Sequence, residues 1–422
     1  MSSTDPQPTA RRWWPLAAAV LSMALIFVGV RLYRGPAPET SQPDATAKGD
    51  GPAKSPAAGT LPNADRVRDP DAAKVDAFDA SWTPKGLPPM APPPKGAFGQ
   101  DFIKGAALGL YLELPGLSYA ELFKEIKALG ATHVSMVVAW SQPTVRSVSI
   151  GPDPVETVPD ERVKAYIQQA HAAGLKVMLF PILHVNRRRT GEWRGHLQPV
   201  DPQRWWTSYE GFILHYAQLA QQEEVDILSV GSELLAQESQ REPWSDLIAK
   251  VRAQYKGKLT YSANWDHFDH VTYWDLLDIA GMTGYFELSD SPKPNLDELK
   301  ETWEGVADVI SVYSERSKRP VMLTEVGYPS QTGSASHPWD YTLRNPPDME
   351  VQYLCFRAMY EVYAKKMAAW PKDKPTPLSG FFVWEWYGYG GPKDVGYTLR
   401  GKPAQAVIKR WFEPTPAQDP AP

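Results

Sequence analysis

Eight short apolar segments recur between residues 106 and 386, and a helical pattern follows each of them. Almost every position in these segments is apolar, which is typical of parallel strands that are buried on both faces. The segments are AALGLYLE, THVSMVVAW, KVMLFPILH, VDILSVGSE, KLTYSANW, DIAGMTGY, PVMLTEVGY and LSGFFVWEW. Eight such units predict an α/β fold, a closed (β/α)8 TIM barrel over residues 101–413.

Helix boundary signals support the barrel. Ser118 and Glu121 have the spacing of a capping box before an amphipathic stretch that stops at Gly130, and Gly174 ends the next helix. An open, doubly wound sheet is the alternative for alternating strands and helices. Such a sheet normally carries a glycine-rich phosphate loop after its first strand, and the segment YLELP at that place is not one.

The N-terminal region contains a long uncharged stretch. Residues 13–30 read WWPLAAAVLSMALIFVGV, and about 18 apolar residues is the minimum for a helix that spans a bilayer. We expect a short tail over residues 1–12 and an uncleaved transmembrane signal-anchor over residues 13–33, because no small-residue cleavage site follows the stretch. A cleaved export signal is the alternative. The anchor predicts a membrane partner and a barrel on the periplasmic or extracellular side.

Two segments lack the composition of a folded core. Residues 35–100 are rich in Pro, Ala, Asp and Lys, with few large apolar residues, which predicts a disordered linker. Its prolines would keep it semi-extended, as a spacer between membrane and barrel. Residues 414–422 predict a short disordered tail.

Charge and cysteine content exclude several classes of function. The formal net charge is −5, whereas a nucleic-acid partner usually requires a clustered basic excess. Cys355 is the only cysteine, so no intramolecular disulfide can form, and no Cys/His spacing indicates a metal site. We therefore expect a monomeric barrel that works without metal or organic cofactor.

Polar and aromatic residues are concentrated where the predicted strands end. In barrels of this type the active site lies at the C-terminal ends of the strands. A strand end that only packs needs no polar group, and several carboxylates around one pit repel each other unless they serve a purpose. The residues at these ends are Glu113, Trp140, His184, Glu233, Asn264, Trp265, Tyr285, Glu325, Tyr328, Trp384, Glu385 and Trp386.

Glu233 and Glu325 end the fourth and seventh segments, which face each other across a barrel mouth. Hydrolysis of a glycosidic bond needs one protonated carboxyl for the leaving oxygen and one ionised carboxyl to attack the anomeric carbon or to activate water. A separation of about 5 Å between the carboxyls gives retention of configuration and a wider one gives inversion. The sequence leaves this distance open, and ion pairing or helix capping is the structural alternative for both residues.

The chain from Gly105 to Phe412 resembles glycoside hydrolase family 113, endo-β-mannanase-like enzymes of clan A, whose members are (β/α)8 retaining glycosidases. The segments that carry the resemblance are TGEWRGHLQP, VGSELL, LTYSANWDHFDHVTYWDLLDIAGMTGYFEL, LTEVGYPS and VWEWYGYGGPKDVGYTLRGKPA. The resemblance implies that Glu233 is the catalytic acid/base and Glu325 the catalytic nucleophile.

One position departs from the clan A pattern. Many of these enzymes have Asn immediately before the acid/base, where it contacts the sugar 2-hydroxyl, and this chain has Ser232. A hydrogen bond to that hydroxyl strengthens in the transition state. Asn264 or His184 is expected to supply it instead.

The resemblance also suggests substrate contacts. Tyr285 matches a position that often hydrogen-bonds the nucleophile, and Trp384 matches the usual floor under the sugar. Trp193 and Arg194 lie in a loop, where stacking, binding or simple loop packing would explain them. The full set of predicted substrate-binding residues is Trp140, His184, Trp193, Arg194, Asn264, Trp265, Tyr285, Trp384 and Trp386.

These observations predict a retaining endo-glycoside hydrolase that acts on a neutral β-linked polysaccharide, β-1,4-mannan or a related polymer, by double displacement with two glutamates. Whether the polymer is external or made by the cell itself stays open. The alternative from another class is a catalytically inactive glycan-binding barrel in a membrane-associated polysaccharide assembly or export system. A binding protein has no need for two carboxyls of different pKa, so a bell-shaped pH–rate profile would favour the enzyme.

Overall fold

The computed structural model describes residues 82–94, 98–99, 101–110, 117–371 and 376–413. The predicted N-terminal tail (1–12), transmembrane anchor (13–33) and C-terminal tail (414–422) lie outside these residues, as does Glu113. Among the residues that are described, no helix has the length and apolar character needed to cross a membrane.

Eight parallel strands form a closed barrel in which each strand pairs with its neighbours in chain order. The strands are β1 (Ile103–Gly109), β2 (His133–Gln142), β3 (Lys176–Val185), β4 (Ile227–Ser232), β5 (Lys258–Ala263), β6 (Ile279–Thr283), β7 (Val321–Val326) and β8 (Leu378–Val383). β1 pairs with β8 to close the circle. The predicted TIM barrel is confirmed.

Within the described ranges, seven α-helices pack around the barrel. They are α1 (Tyr119–Ala128), α2 (Asp160–Ala172), α3 (Pro202–Gln222), α4 (Arg241–Gln254), α5 (Leu296–Ser317), α6 (Met349–Ala369) and α7 (Ala404–Phe412). Asp201, Asn295 and Asp348 cap α3, α5 and α6 by accepting hydrogen bonds from backbone N–H groups of the first turn. Ser118 is the N-cap of α1, but its side chain makes no capping hydrogen bond.

The connection between β5 and β6 differs from the predicted alternation of strand and helix. Residues 264–278, all of them described, contain two short 3-10 turns, Phe268–His270 and Trp274–Leu276, and no α-helix. Phe268, Tyr273 and Trp274 are buried there. Dense aromatic side chains fill the space that a helix would otherwise cover.

Side chains fill the inside of the barrel, as is usual for this fold. Gly105 on β1 makes room for Phe382 on β8, because a Cβ atom at Gly105 would lie 2.2 Å from the Phe382 ring. The barrel is therefore a packed core with its open mouth at the C-terminal strand ends. The buried interior residues are Ile103, Val137, Ala139, Met178, Phe180, Ile182, Ile227, Ile279, Met322 and Phe382.

The described part of the predicted linker contacts the barrel. Trp82 packs edge-to-face on Tyr353 of α6 with ring centroids 5.7 Å apart, and the Tyr360 hydroxyl donates to the Ala91 carbonyl at 2.8 Å. Phe98 is buried against Trp411 of α7. This differs from the expected spacer over residues 35–100, because the few large apolar residues near its end are enough to bind the segment to the outer helices.

Candidate active site

Glu325 lies on β7 at the barrel mouth and is held by the neighbouring strand end. Its side chain is only 5% exposed. The Tyr285 hydroxyl, just beyond β6, donates to Glu325 Oε2 at 2.7 Å, and the Gly284 N–H donates to the Glu325 carbonyl at 2.6 Å. Both contacts come from the scaffold, so the position of this carboxyl follows from the barrel itself.

Burial raises the pKa of Glu325, and the negative charge of Glu233 raises it further. The hydrogen bond from Tyr285 and the positive charge of Arg194 act in the opposite direction. Glu233 and Glu325 therefore lie near enough for the charge of one to affect ionisation of the other.

Glu233 follows β4 directly and has a left-handed backbone conformation, with φ of +54°. This conformation is uncommon for a residue with a side chain and often marks a functional position. The Glu233 N–H donates to the Ser262 carbonyl of β5 at 2.8 Å. Glu233 Oε2 accepts from Arg194 Nη2 at 2.5 Å, which forms an ion pair.

Arg194 lies between the two glutamates. Burial alone would lower the pKa of Arg194, but the negative charges of Glu233 and Glu325 raise it above its ordinary value. Its Nε atom is buried and has no partner in the described part of the chain. A buried guanidinium N–H without a partner is costly, so this donor is available to a sugar hydroxyl at the mouth.

A second buried carboxyl lies behind Glu233. Glu238 is fully buried, and burial raises its pKa to about 8, with the charge of Glu233 adding to the effect. The Tyr261 hydroxyl donates to Glu238 Oε1 at 2.8 Å and accepts from the Leu234 N–H at 2.8 Å. This pair of hydrogen bonds fixes the backbone immediately after Glu233.

The predicted contact residues His184 and Asn264, and Ser232, bring polar groups to the C-terminal ends of β3, β5 and β4. His184 Nδ1 lies 2.7 Å from Glu156 Oε2, so the imidazole is oriented by a carboxylate. Ser232 Oγ and Asn264 Oδ1 are buried, and neither has a hydrogen-bond partner among the described residues. Unpaired buried polar atoms beside Glu233 are suited to bind substrate hydroxyls.

Trp384 and Glu385 follow β8 at the mouth. Trp384 is partly buried and packs on the side chains that fill the barrel interior. Burial raises the pKa of Glu385 to about 8, and the charges of Asp394 and Glu325 contribute. Glu385 is therefore protonated near neutral pH and able to donate a hydrogen bond.

Trp193 and Trp265 are half-buried at the rim. The Trp193 ring packs edge-to-face on His196 with ring centroids 5.7 Å apart, and the Trp265 ring does the same on Phe286 at 5.8 Å. The Trp265 backbone N–H donates to Thr283 Oγ1 at 3.1 Å. Both rings are thus positioned by neighbours at the same end of the barrel.

Trp140 does not face the mouth, in contrast to its predicted role. Val137 and Ala139 of β2 point into the barrel, so Trp140 points outward. Its ring stacks on Phe212 at 5.3 Å and packs on His215 at 5.0 Å, both on α3. Trp140 lines a shallow cavity of about 510 Å³ outside the barrel with Asp160 and His215.

Trp386 also lies away from the mouth. It is 1% exposed, and its indole N–H donates to Glu125 Oε2 of α1 at 3.1 Å. Arg400 binds the same carboxylate through Nε at 2.7 Å and Nη2 at 2.8 Å. Trp386 is therefore part of the packing between α1 and the chain after β8, in contrast to its predicted role in substrate binding.

Three residues of the site were absent from the sequence prediction. Glu156 orients His184, Glu238 lies behind Glu233, and Tyr397 packs its ring on Tyr285 with centroids 6.1 Å apart. Tyr397 belongs to the segment GPKDVGYTLR, which carried the family resemblance. Glu156 and Glu238 lie in short connections without a distinguishing pattern.

The closed parallel barrel carries Glu233 at the end of β4 and Glu325 at the end of β7. Arg194 forms an ion pair with Glu233, and Tyr285 donates a hydrogen bond to Glu325. This arrangement is typical of glycosidases of the (β/α)8 class. The model of Glycoside Hydrolase Family 113 matches residues 117–402. The chain belongs to this family and is a glycosidase, as predicted from the sequence.

Solved structures agree with this assignment. A GH113 β-mannanase from Alicyclobacillus acidocaldarius, solved in complex with ManMIm, has 28% identity and a TM-score of 0.63, over 75% of this chain and 98% of that one. A structure of a GH113 β-1,4-mannanase has 27% identity and a TM-score of 0.64, over 74% and 99%. No curated protein sequence matches the chain.

Proposed function

We propose that this protein is a retaining endo-β-mannanase in which Glu325 is the nucleophile and Glu233 the acid/base. The observation that carries the proposal is the pair of glutamates at the ends of β4 and β7, each with a different partner. Different environments are what a pair of carboxyls needs to play two roles.

The reaction proceeds in two steps. Glu325 attacks the anomeric carbon while protonated Glu233 gives its proton to the leaving oxygen, and a covalent glycosyl–enzyme forms. Glu233, now ionised, takes a proton from water, and the water oxygen attacks the anomeric carbon and releases Glu325. Tyr285 stabilises the ionised form of Glu325 that starts the reaction, and the Trp384 indole supports the sugar from below.

The proposed substrate is a neutral β-1,4-mannan or a related polymer. Two facts support it: membership of family 113, and similarity at 27 to 28% identity to proteins named as β-mannanases. Unpaired buried atoms of Ser232, Asn264 and Arg194 support a polar, hydroxyl-rich ligand.

The test is release of reducing ends from soluble β-glycans, including mannan and glucomannan, by the full-length chain, with Glu325→Ala as control. We expect cleavage of mannan, products that first appear in the retained anomeric configuration, and loss of activity in the variant. Binding of glycan without cleavage by the unmodified chain would instead favour the non-catalytic barrel.

We also propose that residues 13–33 anchor the protein in a membrane and that the barrel lies on the periplasmic or extracellular side. The uncharged stretch over residues 13–30 supports this. Membrane fractionation and added protease on intact cells test it. Recovery of the chain in the soluble fraction without detergent would contradict the anchor.

A further inference from the structure

Two aromatic side chains are exposed on the loop that joins β7 to α6. Trp339 is 45% exposed and Tyr341 is 46% exposed. In the part of the chain that the structure describes, the other large apolar side chains exposed to this degree are Val155 and Val200, so no other aromatic ring is among them. Every other tryptophan among the described residues is buried or only partly exposed, so a half-exposed indole needs a different explanation.

Both rings are held by polar contacts from other loops. Trp339 Nε1 donates to Glu287 Oε1 at 3.1 Å, two residues beyond Tyr285 on the β6 side. Arg188 Nη2, in the loop after β3, donates to the Tyr341 hydroxyl at 3.5 Å. Strands β3 and β7 are opposite in the eight-stranded barrel, so this loop reaches across the mouth.

The same loop is connected to the catalytic centre. The Tyr397 hydroxyl donates to the Pro338 carbonyl at 2.6 Å, and the Tyr397 ring packs on Tyr285. Tyr285 in turn donates to Glu325. Trp339, immediately after Pro338, therefore has a defined position relative to the nucleophile.

We propose that Trp339 and Tyr341 form an outer subsite that binds pyranose units of the polysaccharide beyond the cleavage point. The C–H face of a pyranose is apolar and packs on an aromatic ring, while its hydroxyls remain in water or bind polar neighbours. The hydrogen bonds to Glu287 and from Arg188 hold the two rings at their polar atoms, Trp339 Nε1 and the Tyr341 hydroxyl. Part of each ring surface therefore stays exposed. This inference rests on the proposed function and adds a binding site to it.

Such a subsite changes the dependence of rate on chain length. Binding energy from a remote part of a substrate contributes to catalysis only when the substrate is long enough to reach it. We expect Trp339→Ala to lower the ratio of kcat/KM for β-1,4-mannohexaose to that for a short aryl mannoside about tenfold, which corresponds to ~1.4 kcal/mol. Tyr341→Ala should lower the same ratio about threefold, because a smaller ring offers less contact area.

Matched variants separate ring contact from loop distortion. Trp339→Phe keeps a ring and loses the indole N–H, and should recover most of the ratio. Val200→Ala removes an exposed, non-aromatic apolar side chain after β3 and should leave the ratio unchanged. A ratio that stays constant in Trp339→Ala while the unmodified chain cleaves mannohexaose would overturn the subsite.

Failure of the proposed function is detected separately. Binding of mannohexaose to the Glu325→Ala variant, followed by titration calorimetry, needs no catalysis. Weaker binding after adding Trp339→Ala supports the subsite even if the unmodified chain cleaves no mannan. If adding Trp339→Ala leaves mannohexaose binding unchanged but changes the sedimentation of the protein, this surface binds another protein molecule instead of a glycan. That result would overturn the proposal.

Discussion

The ends of β4 and β7 carry the two glutamates of the site in contrasting ways. Glu325 on β7 is held by Tyr285 and Gly284, which directly follow the adjacent strand β6. Glu233 after β4 has a left-handed backbone, and its side chain is ion-paired with Arg194, a residue of the loop after β3. The barrel scaffold thus determines the environment of one carboxyl, whereas a loop determines the environment of the other.

This difference bears on the ionisation of Glu325. The proposed reaction requires an ionised Glu325, whereas burial raises the pKa of this carboxyl. The hydrogen bond from Tyr285 and the positive charge of Arg194 both lower that pKa, so the two side chains favour the form that the proposed nucleophile needs.

The largest expected effect is that the two glutamate variants differ in how their loss of turnover depends on the leaving group of the substrate. Glu325→Ala should lose at least about 10⁴-fold in turnover on every substrate, because no covalent intermediate can form. Glu233→Ala should lose about 10³-fold on mannan and far less on an aryl mannoside with an acidic phenol, since that leaving group needs no proton. The measurement is kcat on both substrates for both variants.

Added azide provides the control for this comparison. In Glu233→Ala, azide can replace water in the second step and give a glycosyl azide of retained configuration. In Glu325→Ala, azide can attack only from the face opposite the leaving group, which gives a glycosyl azide of inverted configuration. The reverse pattern would exchange the roles of the two residues. Equal losses on all substrates in both variants would contradict a division of roles.

A smaller effect concerns Arg194 and the acid limb of the pH–rate profile. The positive charge of Arg194 lowers the pKa of Glu325, so Arg194→Gln should move the acid limb of kcat/KM to higher pH by about one unit. Activity at pH 7 should fall about fivefold, since a pKa that rises by one unit from about 7 lowers the ionised fraction of Glu325 from about one half to about one eleventh. Arg194→Lys keeps the charge and should restore most of the profile.

Tyr285→Phe is the matched comparison on the β7 side. Loss of its hydrogen bond also raises the pKa of Glu325, so the acid limb should move in the same direction. The shift should be at least as large, because the hydrogen bond from Tyr285 lowers the pKa of Glu325 more than the charge of Arg194 does. A shift of either variant toward lower pH would show that Glu325 does not control this limb.

The sequence predicted the site best where the strand pattern alone determines position. Glu325, Tyr285 and His184 lie at the mouth because parallel strands all end at one edge of the barrel. Trp140 was misplaced because β2 is apolar on both faces, so its sequence does not reveal which positions point inward. Only the structure shows that Val137 and Ala139 of this strand pack inside the barrel, and that Trp140 therefore points outward.

Contacts between distant segments were beyond the sequence pattern. Composition predicted a spacer up to residue 100, whereas Trp82 and Phe98 pack on outer helices more than 250 residues away along the chain. The ion pair of Arg194 with Glu233 depends on how a loop folds back over the mouth. Neither local propensity nor periodicity reports such contacts.

The last expected effect concerns stability and Glu238, which lies on the β4 side. Burial raises the pKa of this carboxyl from its ordinary value of 4.5 to about 8, so the folded state favours its neutral form. The stability that this form contributes is complete below about pH 4.5 and is lost as the pH rises through 8. Glu238→Gln keeps the shape and cannot ionise, and Gln Oε1 can still accept the hydrogen bond from Tyr261.

We therefore expect Glu238→Gln to be close to the unmodified chain in free energy of unfolding at pH 5 and to exceed it by a few kcal/mol at pH 9, since each pKa unit of the shift corresponds to about 1.4 kcal/mol. Denaturant unfolding at the two pH values measures this difference. Glu301→Gln, on the exposed surface of α5, is the matched control and should change neither value. If Glu238→Gln were the less stable protein at pH 9, the folded state would favour an ionised Glu238, and the β4 side would hold a second buried charge next to Glu233.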